Sequence, residues 1–248
     1  MYVYGVLKAQ AAKSLSSSGV ASAPVRDVQH DGLAALVSTV EGGALAAARE
    51  VRAHWKVLEE TSASATVLPV RFGTVLESED AVRSTLLEPN AERLSSLLDE
   101  LDGRVQLTVK GGYDEELLLR AVMREAPAIA AMNDDLRRLP QDAGYYGRIR
   151  LGEAVAAEVD RRREQDTGLA LDRLAPLAAG SRSEALSAAD AAFNLAFLVE
   201  RDRIDGFSKA VAELAREFGE RVTIRYVGPL PPYSFAEMEL TGPGAKWD

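Results

Sequence analysis

The stretch AFNLAFLVERDRIDGFSKAVAELAREF, Ala192 to Phe218, changes its hydrophobic period halfway along. From Ala192 to Glu200, Phe193, Leu195, Phe197 and Val199 alternate, the spacing that puts side chains on one face of a strand. After Asp202, which stands where a helix cap is expected, Ile204, Phe207, Val211, Leu214 and Phe218 recur every three or four residues, as on one side of a helix. Downstream, RVTIRYV alternates Val222, Ile224 and Tyr226 and reads as a last strand. Upstream, Ser183 to Ser187 reads as a short strand, and Tyr145 to Ala179 as a long helical element broken at Gly168. Helices are expected over Asp114 to Glu125 and Pro127 to Leu139, the second opened by a proline in its first turn, after the strand RVQLTVKGG. The order is therefore strand, helices, strand, strand, helix, strand. That is the split βαβ order of a ferredoxin-like domain, enlarged by helices inserted after its first strand.

The first hundred residues read differently. Tyr2 to Leu7 alternates as a strand, and LAALVSTV is a second apolar run before Gly42 and Gly43. Leu45, Ala48, Trp55 and Leu58 then mark a helix from about Ala44 to Ser62. Val67 to Phe72 is strand-like, with Pro69 restricting it to an edge or a strand entry. Ser78, Glu79 and Asp80 supply a cap and an acidic first turn to a helix through Val82, Leu86 and Leu87, which Pro89 should end. A further helix covers Ala91 to Leu101. The fold class expected is α+β in two domains, 1–102 and 103–228, followed by a tail, 229–248. Pro229, Pro231 and Pro232 keep that tail out of a regular ladder, so it must dock through side chains, and it is expected outside the second sheet. Tyr233 and Phe235 are its expected anchors on the N-terminal domain.

With 248 residues, the chain has room for two cores. Its 29 basic and 38 acidic residues give a net charge of -9, which repels nucleic acid and anionic membrane surfaces. Cysteine is absent, which removes thiol chemistry and fits a reducing cytoplasm. The opening MYVYGVLKAQ has no signal-peptide pattern, and no apolar run reaches membrane-spanning length. Neither secretion nor a membrane span is expected. No nucleophile elbow, Walker loop or dinucleotide-binding glycine pattern occurs, so no catalytic residue, cofactor or metal is assigned. His30 and His54 lack partners at zinc-motif spacing and read as surface or helix-face residues. Asp160 to Asp166 alternates in sign and reads as a solvated helix face. The candidate partner-contact or interdomain residues are Arg71, Phe72, Tyr233 and Phe235, because arginine and aromatics concentrate at binding hot spots.

MYVYGV at the start, VLPVRFGTVLESEDAV, KGGYDE, YYGRIRLGEAVAAEV, NLAFLVERDRIDGF and VGPLPPYSF occur in this order along nearly the whole chain. Together they resemble the gas vesicle protein F and L family, with one departure: Leu230 stands where the family often has tryptophan. The resemblance implies a family-specific α+β N-terminal domain and a modified ferredoxin-like C-terminal domain. It further implies a non-enzymatic, accessory or minor structural protein of the gas vesicle, in the cytoplasm. Its partners would be the major shell protein, kept from aggregating during nucleation, and other accessory proteins. The alternatives are a cytoplasmic scaffold that binds partner helices and a small-molecule-binding ferredoxin-like protein.

Overall fold

The computed structural model describes residues 1–12, 18–40, 48–140, 144–186 and 188–236. It divides into two compact units, Met1–Gln106 together with the chain from Gly228 onward, and Leu107–Val227.

In the first unit, β1 (Tyr2–Lys8), β2 (Arg26–His30), β3 (Leu33–Ser38) and β4 (Leu68–Pro69) form an antiparallel sheet in the order β2-β3-β1-β4. The strand β2, RDVQH, carries a single apolar residue and so escapes a periodicity reading. The signal that could have found it is the Asp31-Gly32 pair, whose positive φ values of 44° and 78° are those of a tight two-residue hairpin. Gly5 in β1 admits close approach of its neighbours: a Cβ there would lie 2.8 Å from the Leu68 carbonyl oxygen. Helix α1 (Ala48–Ser62) covers the sheet, and the expected residues Ala44 to Ala47 lie outside the described ones. Ser78 Oγ accepts a hydrogen bond from the Ala81 amide (3.1 Å), capping the single turn α2 (Glu79–Ala81). The chain then widens into a π turn over Val82–Leu87, tightens to a 3₁₀ turn over Glu88–Asn90 and runs into α3 (Ala91–Glu100). Pro89 therefore does not end the helical run. It occupies the first positions of the 3₁₀ turn, where its missing N–H is not required.

The centre of this unit is His54, buried at 1% exposure. Its Nδ1 lies 2.8 Å from the Tyr2 hydroxyl, which also accepts a bond from the Gly73 amide (3.2 Å). The backbone of Val70 hydrogen-bonds the same ring. Since the Val70 N–H already donates to the Tyr4 carbonyl (2.9 Å), its own carbonyl is the group that meets the imidazole. A neutral ring with its proton on Nε2 satisfies every member: Gly73 N–H to Tyr2 O, Tyr2 O–H to Nδ1, and Nε2–H to Val70 C=O. The ring stacks on Tyr4 (5.6 Å, 27°) and meets Phe72 edge-on (5.6 Å, 89°). Burial therefore lowers the His54 pKa to about 4, against the Val70 hydrogen bond, which raises it.

In the second unit the sheet order is β6-β7-β5-β8, with β5 (Arg104–Gly112), β6 (Gly180–Ser183), β7 (Ala191–Glu200) and β8 (Thr223–Leu230). The observed sequence of elements is β5, three helices, β6, β7, one helix, β8, and β5 and β7 are the central strands. Phe197 meets Phe207 at 5.2 Å and Phe193 meets Phe218 at 5.8 Å, so the alternating strand face and the helix stripe of Ala192 to Phe218 form one core. Gly111 leaves room for it, since a Cβ there would lie 2.6 Å from the Phe193 ring.

Several boundaries differ from the sequence expectation. Strand β6 is Gly180–Ser183, earlier than the expected Ser183 to Ser187, whose last residue lies outside the described ones; it is mostly exposed, has no alternating pattern, and is defined by its pairing with Leu195–Leu198. Asp202 lies in a 3₁₀ turn and does not cap α7 (Ile204–Phe218), whose N-cap is Arg203. Strand β8 continues three residues past Val227 and takes in Pro229, which follows a cis peptide bond; an edge position tolerates the lost donor. The tail thus leaves the sheet later than expected.

Helices α4 (Glu115–Glu125) and α5 (Pro127–Arg137) precede α6 (Tyr145–Leu174), which runs unbroken through Gly168. Its alternating charges are not a solvated face throughout. Arg162 (8% exposed) and Asp166 (4%) are buried. Asp166 accepts from the Tyr113 hydroxyl (2.8 Å) and pairs with Arg221 (3.2 Å), while Arg162 pairs with Glu158 and Glu125, each at 3.0 Å. Sign alternation cannot distinguish these from wet pairs; only the neighbours that close over the helix can. Burial and the Asp166 carboxylate together raise the Tyr113 pKa.

These buried groups set how stability should respond to pH and to substitution. The His54 pKa falls from 6.5 to about 4 on folding, so the unfolded chain binds more protons between those values. The His54 contribution is therefore complete above pH 6.5 and is lost as the pH falls towards 4. Melts of the full chain should show about 2 kcal/mol lost between about pH 7 and about pH 5, a window above the carboxylate range. His54→Gln should flatten that slope, and an unchanged slope would place the dependence elsewhere. Asp166→Asn should cost about 2 kcal/mol in denaturant unfolding by breaking the Tyr113 and Arg221 contacts. Asp160→Asn, at an exposed pair with Arg163, should cost less than about 1 kcal/mol.

Candidate functional site

The segment that carries Arg71 and Phe72 is shaped by its backbone. Leu68–Pro69 pairs with Val6 and Gly5 of β1, and the Val3 amide donates to the Thr74 carbonyl (3.0 Å), so both ends are held to one strand. Between them the chain turns: Thr74 Oγ1 donates to the Arg71 carbonyl (2.7 Å) and Gly73 takes a φ of +92°, in the region that favours glycine. The turn sends Arg71 to the surface and Phe72 partly inward. Phe72 packs on the core cluster that contains Tyr2, Tyr4 and Leu58. Glu79 pairs with Arg26 and Arg83.

Tyr233 packs against the same cluster, and its ring lies 4.4 Å from that of Trp55 at 38°. Burial raises its pKa, and its buried hydroxyl has no hydrogen-bond partner among the described residues. The turn Tyr233–Phe235 is held by the Ser234 amide, which donates to Gln106 Oε1 (2.8 Å), and by the Phe235 amide, which donates to the Pro232 carbonyl (3.0 Å). Pro231 and Pro232 are buried and Phe235 is half-buried. Of the four candidates, Phe72 and Tyr233 thus join one aromatic group of the first unit and Arg71 is the exposed member; Trp55, read in the sequence only as part of the apolar stripe of α1, is 41% exposed and is the neighbour that Tyr233 meets.

In the second unit a cleft of about 520 Å3 is lined by Tyr113, Asp166 and the arginines 120, 124, 161, 162 and 221, among others. These arginines are matched by carboxylates: Arg120 with Glu116, Arg124 with Glu125, Arg161 with Glu158, Arg162 with Glu125 and Glu158, and Arg221 with Asp166. The walls largely neutralise themselves. Among the described residues no group of three or more His, Cys, Asp or Glu is placed to hold a metal, and no helix is long and apolar enough to cross a membrane.

Comparison with known proteins agrees over nearly the full length. Gas vesicle protein F of Streptomyces sp. (strain CB03234) is 35% identical over 239 residues, covering 95% of this chain and 99% of that one. Gas vesicle protein L of the same strain is 31% identical over 253 residues, covering 95% and 92%. The crystal structure of the gas vesicle protein GvpF from Anabaena sp. PCC7120 is similar with a TM-score of 0.84 at 28% identity, covering 96% of this chain and 98% of that one. That of GvpF from Microcystis aeruginosa has a TM-score of 0.79 at 26% identity, with the same coverage. The model of the family described as gas vesicle synthesis protein GvpL/GvpF matches residues 1–237, and the chain belongs to that family.

Proposed function

We propose that this chain is a non-enzymatic assembly partner that binds the major gas vesicle shell protein and keeps it from aggregating while vesicles nucleate. A role in gas vesicle assembly follows from the family, and the full-length agreement of sequence and fold with gas vesicle protein F carries the reading. The finer step is physical. A shell subunit with a gas-facing apolar surface exposes it before assembly, and exposed apolar patches of more than about 400 Å2 invite aggregation. A partner of net charge -9 keeps such a complex soluble and yields the subunit when neighbouring subunits offer a larger contact. In this reading the first unit is the family-specific domain, the second a modified ferredoxin-like domain, and the tail a clamp on the first.

Co-expression with the shell protein of the same gene cluster tests this directly. The shell protein should stay soluble and co-purify in a defined ratio; aggregation regardless, with nothing co-purifying, would overturn the reading. The clamp has its own test. Tyr233→Ala should remove about 2 kcal/mol of packing and lower the melting temperature by about 5 °C, whereas Arg71→Ala, at an exposed position, should change it little. A Tyr233→Ala protein that melts unchanged and yet loses the shell protein would make the tail a partner contact instead.

A further inference from the structure

The two helices between β5 and α6 are held in place by little apolar burial. Among the described residues, α4 and α5, of eleven residues each, bury Val122 alone and Ile129 alone, and Leu117 (38% exposed) and Leu119 (39%) of α4 stay in water. Helix α7, of fifteen residues, buries Phe207, Val211, Leu214 and Phe218. The cleft of about 520 Å3 runs between Leu117, Leu118 and Ala121 of α4 and Arg162, Gln165 and Asp166 of α6, so these two helices stand apart along that flank. Polar contacts and one close approach hold what packing does not. At the start of the pair, the Tyr113 hydroxyl donates to Asp166 (2.8 Å), one residue before Asp114 caps α4. At the corner where α4 turns into α5, Arg162 pairs with Glu125 (3.0 Å) and donates to the Ala121 carbonyl (3.5 Å). At the far end, Gly147 lets Leu136 of α5 approach α6, since a Cβ there would lie 2.4 Å from Leu136 Cδ2.

We propose that α4 and α5 form a hairpin that opens from α6 as one unit while the sheet and α7 stay folded, and that the Arg162–Glu125 pair is the latch that sets how often it opens. A segment with few buried apolar side chains opens at a lower free energy than the core beside it. Opening wets Val122 and Ile129 and widens the cleft. It breaks the pair at the corner, yet Arg162 keeps Glu158 of its own helix (3.0 Å), so its guanidinium is not left without a counter-ion. The contacts of Phe197 with Phe207 and of Phe193 with Phe218 lie in the β7–α7 core and survive the movement. The second unit thereby has two shapes whatever the chain binds, and a partner that prefers the open one would draw the equilibrium towards it.

Native-state amide hydrogen exchange of the full chain tests this. In the wild type, α4 and α5 should share one level of protection, about a hundredfold or more below that of β7 and α7. Glu125→Gln removes a carboxylate that is already half in water; it should lower protection in α4 and α5 about fivefold, and in the core by the same factor, because the pair is lost in both openings. Val211→Ala weakens a core that the open hairpin leaves intact. It should lower protection in β7 and α7 about tenfold and leave α4 and α5 unchanged. Arg124→Gln, which loses an exposed pair with the same Glu125, should change neither. Equal protection in α4, α5, β7 and α7, or a Val211→Ala effect that reaches α4 and α5, would mean that the helices open only with the whole unit and would overturn the proposal. Different levels for α4 and α5 would overturn the hairpin as a unit, and unchanged exchange in Glu125→Gln would overturn the latch.

Discussion

A neutral imidazole sealed among aromatic rings holds the first unit together. His54 sits on α1, accepts a hydrogen bond from Tyr2 of β1 and meets the backbone at Val70, so it joins the helix, the central strand and the turn that follows β4. That arrangement works only while the ring is uncharged, since an imidazolium could not accept the Tyr2 hydroxyl proton and would be desolvated without a counter-ion. The VLPVRFGT segment, whose proline and glycine give it no helical or long-strand character, is thereby pinned in one shape. Phe72 then closes the rim of the cage, and Tyr233 lies over Trp55 one residue from the histidine.

The second unit uses charge where the first uses a neutral ring. Asp166 and Arg162 are one turn apart on α6 and face opposite partners: Tyr113 and Arg221 for the carboxylate, Glu125 and Glu158 for the guanidinium. Their burial anchors the middle of a helix that has little amphipathic character of its own. The N-terminal end of the same helix behaves differently, with Tyr145 and Tyr146 in water. One helix thus has an anchored middle and an exposed start.

The elements with a strong period are legible in the amino-acid sequence: β1, β5, β7, α3 and α7 each repeat apolar residues at two or at three to four positions, and burial in water-excluding cores enforces those repeats. The α+β class and the order of elements in the second unit follow from them. The family, too, is legible, because its motifs are short strings held at fixed spacing along the chain. Strands β2 and β6 escape such a reading, since edge strands of polar residues owe their place to hydrogen bonds with a neighbour and not to a pattern of their own.

What only tertiary structure decided is the environment of each side chain. His54 looks like any histidine on a polar helix until Tyr2, Tyr4 and Phe72 close around it. Asp160 and Asp166 look alike in the sequence; one is in water and the other is beneath Tyr113 and Arg221. Phe72 and Tyr145 are both aromatics beside turns, and one packs inward while the other is left in solvent. A sequence determines local conformation and the periodicity of burial because those depend on near neighbours. Whether a particular polar or aromatic group ends dry or wet depends on residues dozens of positions away, and only folding brings them together.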